Sequence, residues 1–405
     1  MSGLTNKHIQ KEELYSAHNY HPLPVVLSRG EGVYVWDVEG KRYYDFLSAY
    51  SAVNQGHCHP KIIRALTEQA NTLSLTSRAF HSEKFVEFSE FVTNYFGFDK
   101  VLPMNTGAEA VETALKIARK WGYEKKGVKD NRAKIIVCGN NFHGRTITII
   151  SASNDPDSRG NFGPYTPGIH SIPYNDLNSL KSAVKDNDVV AFMVEPIQGE
   201  AGVFVPDHGY LKSAYQICKN ANVLFVADEV QTGIGRTGRL LACDHEEVVP
   251  DVLILGKAIS GGVYPVSCVL ANNDIMEVIT PGTHGSTYGG NPIACAVAKA
   301  ALTVIKEENL AEKASVLGEY LRKELALIKS EMIALVRGKG LLNAIVIQPK
   351  NGKEAWDVCL KMAENGLLAK PTQGNIIRFA PPLVISKNQL DECIQIIKES
   401  ILSFE

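Results

Sequence analysis

Three short stretches hold residues whose type and position could do chemistry. In VLILGKAISGG, Lys257 comes just after the apolar run Val252–Leu255 and shortly before Ser260-Gly261-Gly262. Lysine is almost never fully buried without a partner. At the mouth of a buried strand it is either a stem whose head reaches solvent or a desolvated amine, nucleophilic enough to form a Schiff base. The segment is no phosphate-binding P-loop, because Asp251 stands five residues before Gly256, where that motif needs glycine. In VLFVADEVQTG, the apolar run ends at Asp228-Glu229. That puts an acid at the carboxyl end of a strand, where open α/β sheets hold their ligands. Such a carboxylate caps the next turn or keeps a ring nitrogen protonated, each pKa unit of coupling being worth about 1.4 kcal/mol. In Asn105-Thr106-Gly107-Ala108-Glu109, Thr106 and Glu109 are spaced as a capping box. The small residues Gly107 and Ala108 leave the first backbone N–H groups open, which suits a phosphate as well as a plain helix start.

Each signal is weak alone. A phosphate-ready helix start, a strand-end acid and a strand-end lysine 29 residues further on (228 to 257) together describe a pyridoxal phosphate site. The competing motif is Gly233, Gly235 and Gly238, spaced as the dinucleotide fingerprint G-x-G-x-x-G. That fingerprint must follow a strand directly and open a helix. Here Glu229 to Thr232 intervene, and RLLACDHE after Gly238 carries no long helical pattern. An NAD-dependent dehydrogenase is therefore the alternative from another class. The cluster His57-Cys58-His59 lacks a second ligand pair at zinc spacing, so no metal is expected. The eight cysteines are scattered without C-x-x-C and read as free thiols.

These residues need elements to hold them. The passage VVLSRGEGVYVWDVEGKRYYDF alternates apolar residues around a Glu39-Gly40 turn, predicting a small meander. From about residue 60, helical patterns alternate with the apolar runs 134–139, 189–196, 223–228 and 252–257. Such runs suit a mostly parallel sheet covered on both faces, an α/β fold. Beyond 305 a long amphipathic helix over about 308–329 opens a smaller α+β unit that ends in a helix near 387–402. The expected division is an N-terminal segment 1–50, a large domain 51–307 and a small C-terminal domain 308–405, with the boundary inside a helix near 307. Charged residues at 21% and a net charge of −2 leave no basic footprint for nucleic acid, and no apolar run reaches membrane-spanning length. The first residues, MSGLTNKHIQKEELYSAHNYHP, mix acids and bases without an apolar signal region, which favours the cytoplasm.

The chain resembles the class III (subgroup II) aminotransferases of pyridoxal phosphate fold type I, over essentially its whole length. The resemblance rests on SAYSAVNQGHCHP, MNTGAEAVETALKIARKWGY, NNFHGRT, EPIQGEAG, ADEVQTGIGRTG, LGKAISGGVYPVS, HGSTYGGNP and GKGLLNAIVI. It implies a large cofactor domain with a smaller C-terminal one, and a two-step transfer of the δ-amino group of L-ornithine to 2-oxoglutarate. Glutamate 5-semialdehyde, which cyclises to pyrroline-5-carboxylate, and glutamate would be the products. Lys257 would bond the cofactor and move the proton, and Asp228 would pair with its pyridine nitrogen. Gln231 would reach the ring hydroxyl and Phe142 would stack on the ring. Gly107 and Ala108 would hold the phosphate, completed by Ser286 and Thr287 of a second subunit, so a homodimer is implied. Tyr20 and Arg145 would hold the ornithine α-carboxylate, and Arg378 that of glutamate or 2-oxoglutarate. Glu200 would mask Arg378 during the ornithine half, and Tyr50 would shape the pocket against 4-aminobutyrate. Acetylornithine and 4-aminobutyrate remain rival substrates within the family.

Overall fold

A computed structural model describes residues 3–405. Its central sheet has seven strands, in the spatial order Lys100–Met104, Ser267–Ala271, Val252–Leu255, Leu224–Asp228, Val189–Val194, Lys134–Cys138 and Ile169–Ile172. Ser267–Ala271 runs antiparallel to both neighbours, and the other pairs are parallel. Val189–Val194, Leu224–Asp228 and Val252–Leu255 are buried at every position. Burial on both faces is why these strands read as unbroken apolar runs rather than alternation. The helix Gly107–Glu124 covers one face with Ala110, Val111, Ala114 and Ala118. It lies so close that a Cβ on Gly122 would come within 2.2 Å of Val190 Cγ1.

The four apolar runs singled out in the sequence are all strands of this sheet. The other three gave no such run. Lys100–Met104 contains Lys100 and Pro103, Ile169–Ile172 is exposed at its centre, and Ser267–Ala271, although buried throughout, opens on a serine.

The meander forms from Leu27–Glu31, Tyr34–Asp37 and Arg42–Asp45. Its fourth strand, Leu367–Leu368, comes from near the far end of the chain and pairs parallel with Arg42–Asp45. A third sheet orders Ile333–Lys339, Leu342–Ile347, Ile376–Phe379 and Lys370–Thr372, all antiparallel. The helix expected over about 308–329 spans Leu310–Ala326 and follows Pro292–Glu307. The chain does not pass residue 307 within one helix: Asn309, at φ 52°, breaks it. Asparagine tolerates this left-handed conformation better than most residues. The last helix is Lys387–Leu402, capped by Ser386 and Gln389. Val33, Phe46, Phe225, Leu321, Phe379 and Ile401 belong to one buried cluster, so the three sheets share a core. Among the described residues no helix is long and apolar enough to cross a membrane.

Candidate active site

The carboxyl edge of the seven-stranded sheet gathers the chemistry-bearing side chains. Lys257 sits just past Val252–Leu255 at φ 46°, a strained conformation of the kind that concentrates at functional sites. Loss of water around its amine, with Arg378 nearby, lowers its pKa to about 8, while Glu200, Asp228 and Glu195 oppose the shift.

Asp228 ends its strand at 4% exposure. One carboxylate oxygen accepts the Val230 N–H at 3.1 Å, and the other lies 2.6 Å from His143 Nδ1. The His143 side chain is wholly buried. Burial alone would lower its pKa, but the hydrogen bond and charge of Asp228 outweigh that and raise it. Its Nε2 has no partner. Glu195, just past Val189–Val194, accepts the Phe142 N–H at 2.8 Å. Burial pushes its pKa up to about 7 against the opposing charge of His143. Sequence reasoning missed both His143 and Glu195. Glu195 ends a buried apolar run as Asp228 does, and His143 follows Phe142 directly, so the signals were present.

The capping box is formed: Glu109 N–H donates to Thr106 Oγ1 at 3.2 Å, and Thr106 N–H to Glu109 Oε2 at 2.7 Å. The N–H groups of Gly107 and Ala108 are therefore first-turn donors outside the helix ladder. A Cβ on Gly107 would meet Val230 Cγ1 at 3.0 Å, and one on Gly256 would meet the same atom at 3.1 Å. The helix start, Val230 and the residue before Lys257 thus form one close-packed cradle. Ser286 Oγ accepts from Asn105 Nδ2 of the same chain at 2.9 Å, beside that helix start, while Thr287 is exposed. A phosphate-ready turn, a buried acid with a histidine behind it and an amine with lowered pKa converge at one edge, and this donor set fits pyridoxal phosphate.

Arg378 is 2% exposed. Its Nη1 donates to Glu200 Oε2 at 2.9 Å, to Gly199 O at 3.2 Å and to Gln231 Oε1 at 3.4 Å, while its Nε has no partner. Burial would raise the Glu200 pKa, but Arg378 outweighs burial and lowers it. A Cβ on Gly199 would overlap Gln231 Oε1 at 1.7 Å, so only glycine lets that side chain reach Arg378. The Arg378 guanidinium lies 5.0 Å from the Tyr50 ring centroid. Tyr50 stands in a run of left-handed residues, Ser48 to Ser51, that no pattern in the sequence announced. Burial raises its pKa, Glu200 and Tyr20 add to that, and Arg378 and Arg145 oppose it. Tyr20 and Arg145 therefore lie within electrostatic reach of Tyr50, although both are exposed. Arg145 also stands over the Phe142 ring at 5.5 Å. A cavity of about 330 Å³ lined by Asn141, Phe142, His143, Glu200 and Ile376 opens here.

The histidine cluster is otherwise engaged. His57 Nε2 lies 2.7 Å from Asp45 Oδ2, and His59 Nε2 lies 3.0 Å from Glu308 Oε1. All eight cysteines are free, and seven of them, Cys138 included, are buried.

The chain belongs to the class III aminotransferases: the family model matches residues 15–401. It is an α/β, pyridoxal-phosphate-dependent transaminase of fold type I. Among its relatives, the mitochondrial ornithine aminotransferase of Drosophila ananassae is 64% identical over 393 residues, covering 97% of this chain and 90% of the relative. A solved ornithine aminotransferase from Toxoplasma gondii, with partial occupancy of PLP at its active site, superposes with TM-score 0.97 at 50% identity, covering 99% of this chain and 94% of that one. A solved acetylornithine aminotransferase from Elizabethkingia anophelis gives TM-score 0.91 at 59% identity, with 99% of each chain covered. The cytoplasmic expectation is overturned, because the fruit-fly, rat and nematode relatives are named mitochondrial. Organelle addresses are carried on segments that processing removes, so the composition of the first residues does not report the compartment.

Proposed function

We propose that this chain transfers the δ-amino group of L-ornithine to 2-oxoglutarate in two half-reactions. The products are glutamate 5-semialdehyde, which cyclises to pyrroline-5-carboxylate, and L-glutamate. The ion pair of Arg378 with Glu200, 2.9 Å long and within electrostatic reach of the Lys257 amine, carries the reading. A donor whose α-carboxylate must not reach Arg378 and an acceptor whose α-carboxylate must reach it can share one pocket if a carboxylate masks the arginine in one half only.

Bound pyridoxal phosphate supplies an electron sink for the carbon that loses its proton. Lys257 would attach the cofactor and shuttle the proton with its Nζ, as an amine of lowered pKa can. Asp228, held by His143, would keep the ring nitrogen protonated. Gln231 and Phe142 would seat the ring, and Gly107 and Ala108 the phosphate. Tyr20 and Arg145 would take the ornithine α-carboxylate while Glu200 occupies Arg378. Glu200 would then release Arg378 to the acceptor, and Tyr50 would bound the pocket. Ser286 and Thr287 would serve the phosphate of a partner subunit, making the working unit a homodimer. The separate antiparallel sheet of residues 333–379 supports the division into a cofactor domain, 51–307, and a smaller C-terminal domain, 308–405, with 1–50 preceding them.

The second reading is acetylornithine as donor, favoured by the 59% identity to the Elizabethkingia anophelis enzyme. A panel of ornithine, acetylornithine, lysine and 4-aminobutyrate with 2-oxoglutarate, trapping the cyclised product, separates the two. Ornithine should be the best donor, and a clear preference for acetylornithine would overturn the assignment.

A further inference from the structure

The glycine-spaced loop that is no dinucleotide turn has a different occupation. Gly233 packs against Glu229 and Leu255, but Gly235 and Gly238 are seats for the C-terminal part of the chain. A Cβ on Gly235 (φ +86°) would meet Leu383 Cδ1 at 3.2 Å, and one on Gly238 (φ +94°) would meet Ser315 Cβ at 2.9 Å. From the other side, a Cβ on Gly340 would strike the Thr237 carbonyl carbon at 2.2 Å. Between the glycines stands Arg236, with 0% exposure. Its Nη1 donates to Leu341 O at 3.0 Å and Pro381 O at 2.7 Å, and its Nε to Asn54 Oδ1 at 3.1 Å, with Nη2 on the same oxygen. Asn54, itself wholly buried, donates back to Ile234 O at 3.0 Å, and its carbonyl accepts the Leu383 N–H at 2.8 Å. The Leu341 N–H closes the ring on Arg236 O at 3.1 Å.

One guanidinium therefore ties three distant stretches of chain together, and all its partners are neutral. A buried cation held only by carbonyl and amide oxygens is costly, so plain packing does not account for it. The grip on Pro381 falls three residues after Arg378, on the segment that continues the strand Ile376–Phe379. The Ala380 N–H is fixed in turn to Phe46 O at 2.8 Å. Asp45 favours the Arg236 charge, whereas Arg378 opposes it.

We propose that Arg236 is a positioning residue for the acceptor's α-carboxylate: by gripping Asn54, Leu341 and Pro381 it holds the strand that carries Arg378 in register with Glu200 and Gln231. The inference rests on reading Arg378 as the carboxylate-binding residue. It makes Arg236 matter more to the half-reaction that uses Arg378 than to the half in which Glu200 masks it. Lysine cannot replace it, because one ammonium cannot reach the three separated acceptors that a planar fork reaches.

The test is Arg236→Lys in the full-length enzyme, with each half-reaction followed by cofactor absorbance in single turnover. The acceptor half starts from protein loaded with pyridoxamine phosphate, so it is readable whichever amine is the natural donor. The half-saturating concentration of 2-oxoglutarate should rise about tenfold or more, since a small misplacement of a binding group has effects of this order, while the ornithine half changes by less than about threefold. Asn54→Ala, which leaves Arg236 in place with one acceptor fewer, should shift 2-oxoglutarate in the same direction by a smaller factor, and it decides the matter if Arg236→Lys does not fold. Equal losses in both halves, or no change in the acceptor half, overturn the proposal. A wild-type enzyme that consumes 2-oxoglutarate from the pyridoxamine form but refuses ornithine would instead sink the donor assignment alone.

Discussion

Replacing Glu200 with glutamine should tighten the binding of dicarboxylates, against the usual expectation that losing an ion pair only does harm. The bare Coulomb attraction across 2.9 Å is about 6 kcal/mol at an effective dielectric near 20. Most of it is offset, because the Glu200 side chain is 28% exposed and both charges give up hydration. Glutamine keeps an acceptor for the still-charged Arg378 and loses only the Coulomb attraction; with about a quarter of the bare value surviving hydration, the pair weakens by about 1.4 kcal/mol, a factor of about ten. An incoming carboxylate must displace Glu200 from Arg378, and it gains whatever that pair loses. Glutarate, which has the two carboxylates of the acceptor without its reactive carbonyl, should therefore bind E200Q about tenfold more tightly by equilibrium titration. The same exposure of Arg378 lets ornithine dock by its α-carboxylate in the wrong orientation, so its δ-transfer kcat/KM should fall by a similar factor. Glutarate binding that is unchanged or weaker in E200Q would refute the masking argument.

Other expectations follow from the same geometry. With the Lys257 pKa at about 8, the rate of reconstitution of cofactor-free protein with pyridoxal phosphate should climb about tenfold per pH unit below that value and level off above it. A rise that continues past pH 10 would mean an ordinary lysine. Glu195, whose folded pKa of about 7 exceeds its unfolded value of about 4.3, holds a proton in the native state that the unfolded chain has lost. Stability of the cofactor-free protein should therefore fall as pH rises from about 4.5 to 7, by up to about 3 kcal/mol, and Glu195→Gln should abolish that slope in urea titrations. Gly340→Ala, at φ +55° and 2.2 Å from Thr237, should cost about 2 kcal/mol or more, read as a lower denaturation midpoint. Lys257→Ala should bind pyridoxal phosphate yet lose at least about a hundredfold in the proton-transfer step, seen in single turnover.

Much of this protein was written in local pattern. Asp228 and Lys257 each follow a run of residues buried on both sides of a sheet, and such runs are visible as unbroken apolar stretches. Thr106 and Glu109 signal their helix start because a capping box is a purely local device. The roles of Arg378, Glu200 and Tyr50 came from likeness to a family, since an arginine in a strand gives no sign of what it will face. The structure added His143 behind Asp228 and Glu195 beside Phe142, contacts between residues 85 and 53 positions apart in sequence. It also corrected the reading of residue 307, where one left-handed asparagine divides what the pattern ran together.

The spacing Gly233, Gly235, Gly238 is where sequence and tertiary structure part most clearly. By itself the sequence determined four strands of the sheet, their carboxyl edge and the lysine, acid and helix start upon it, because burial and capping act within a few residues. What Arg236 touches is 105 to 182 residues away, and the clearance beside Gly235 and Gly238 belongs to segments from the C-terminal part of the chain. Only the packed fold brings those surfaces together, so only the fold assigned Gly235 and Gly238 to a seat for the C-terminal part of the chain rather than to a ligand.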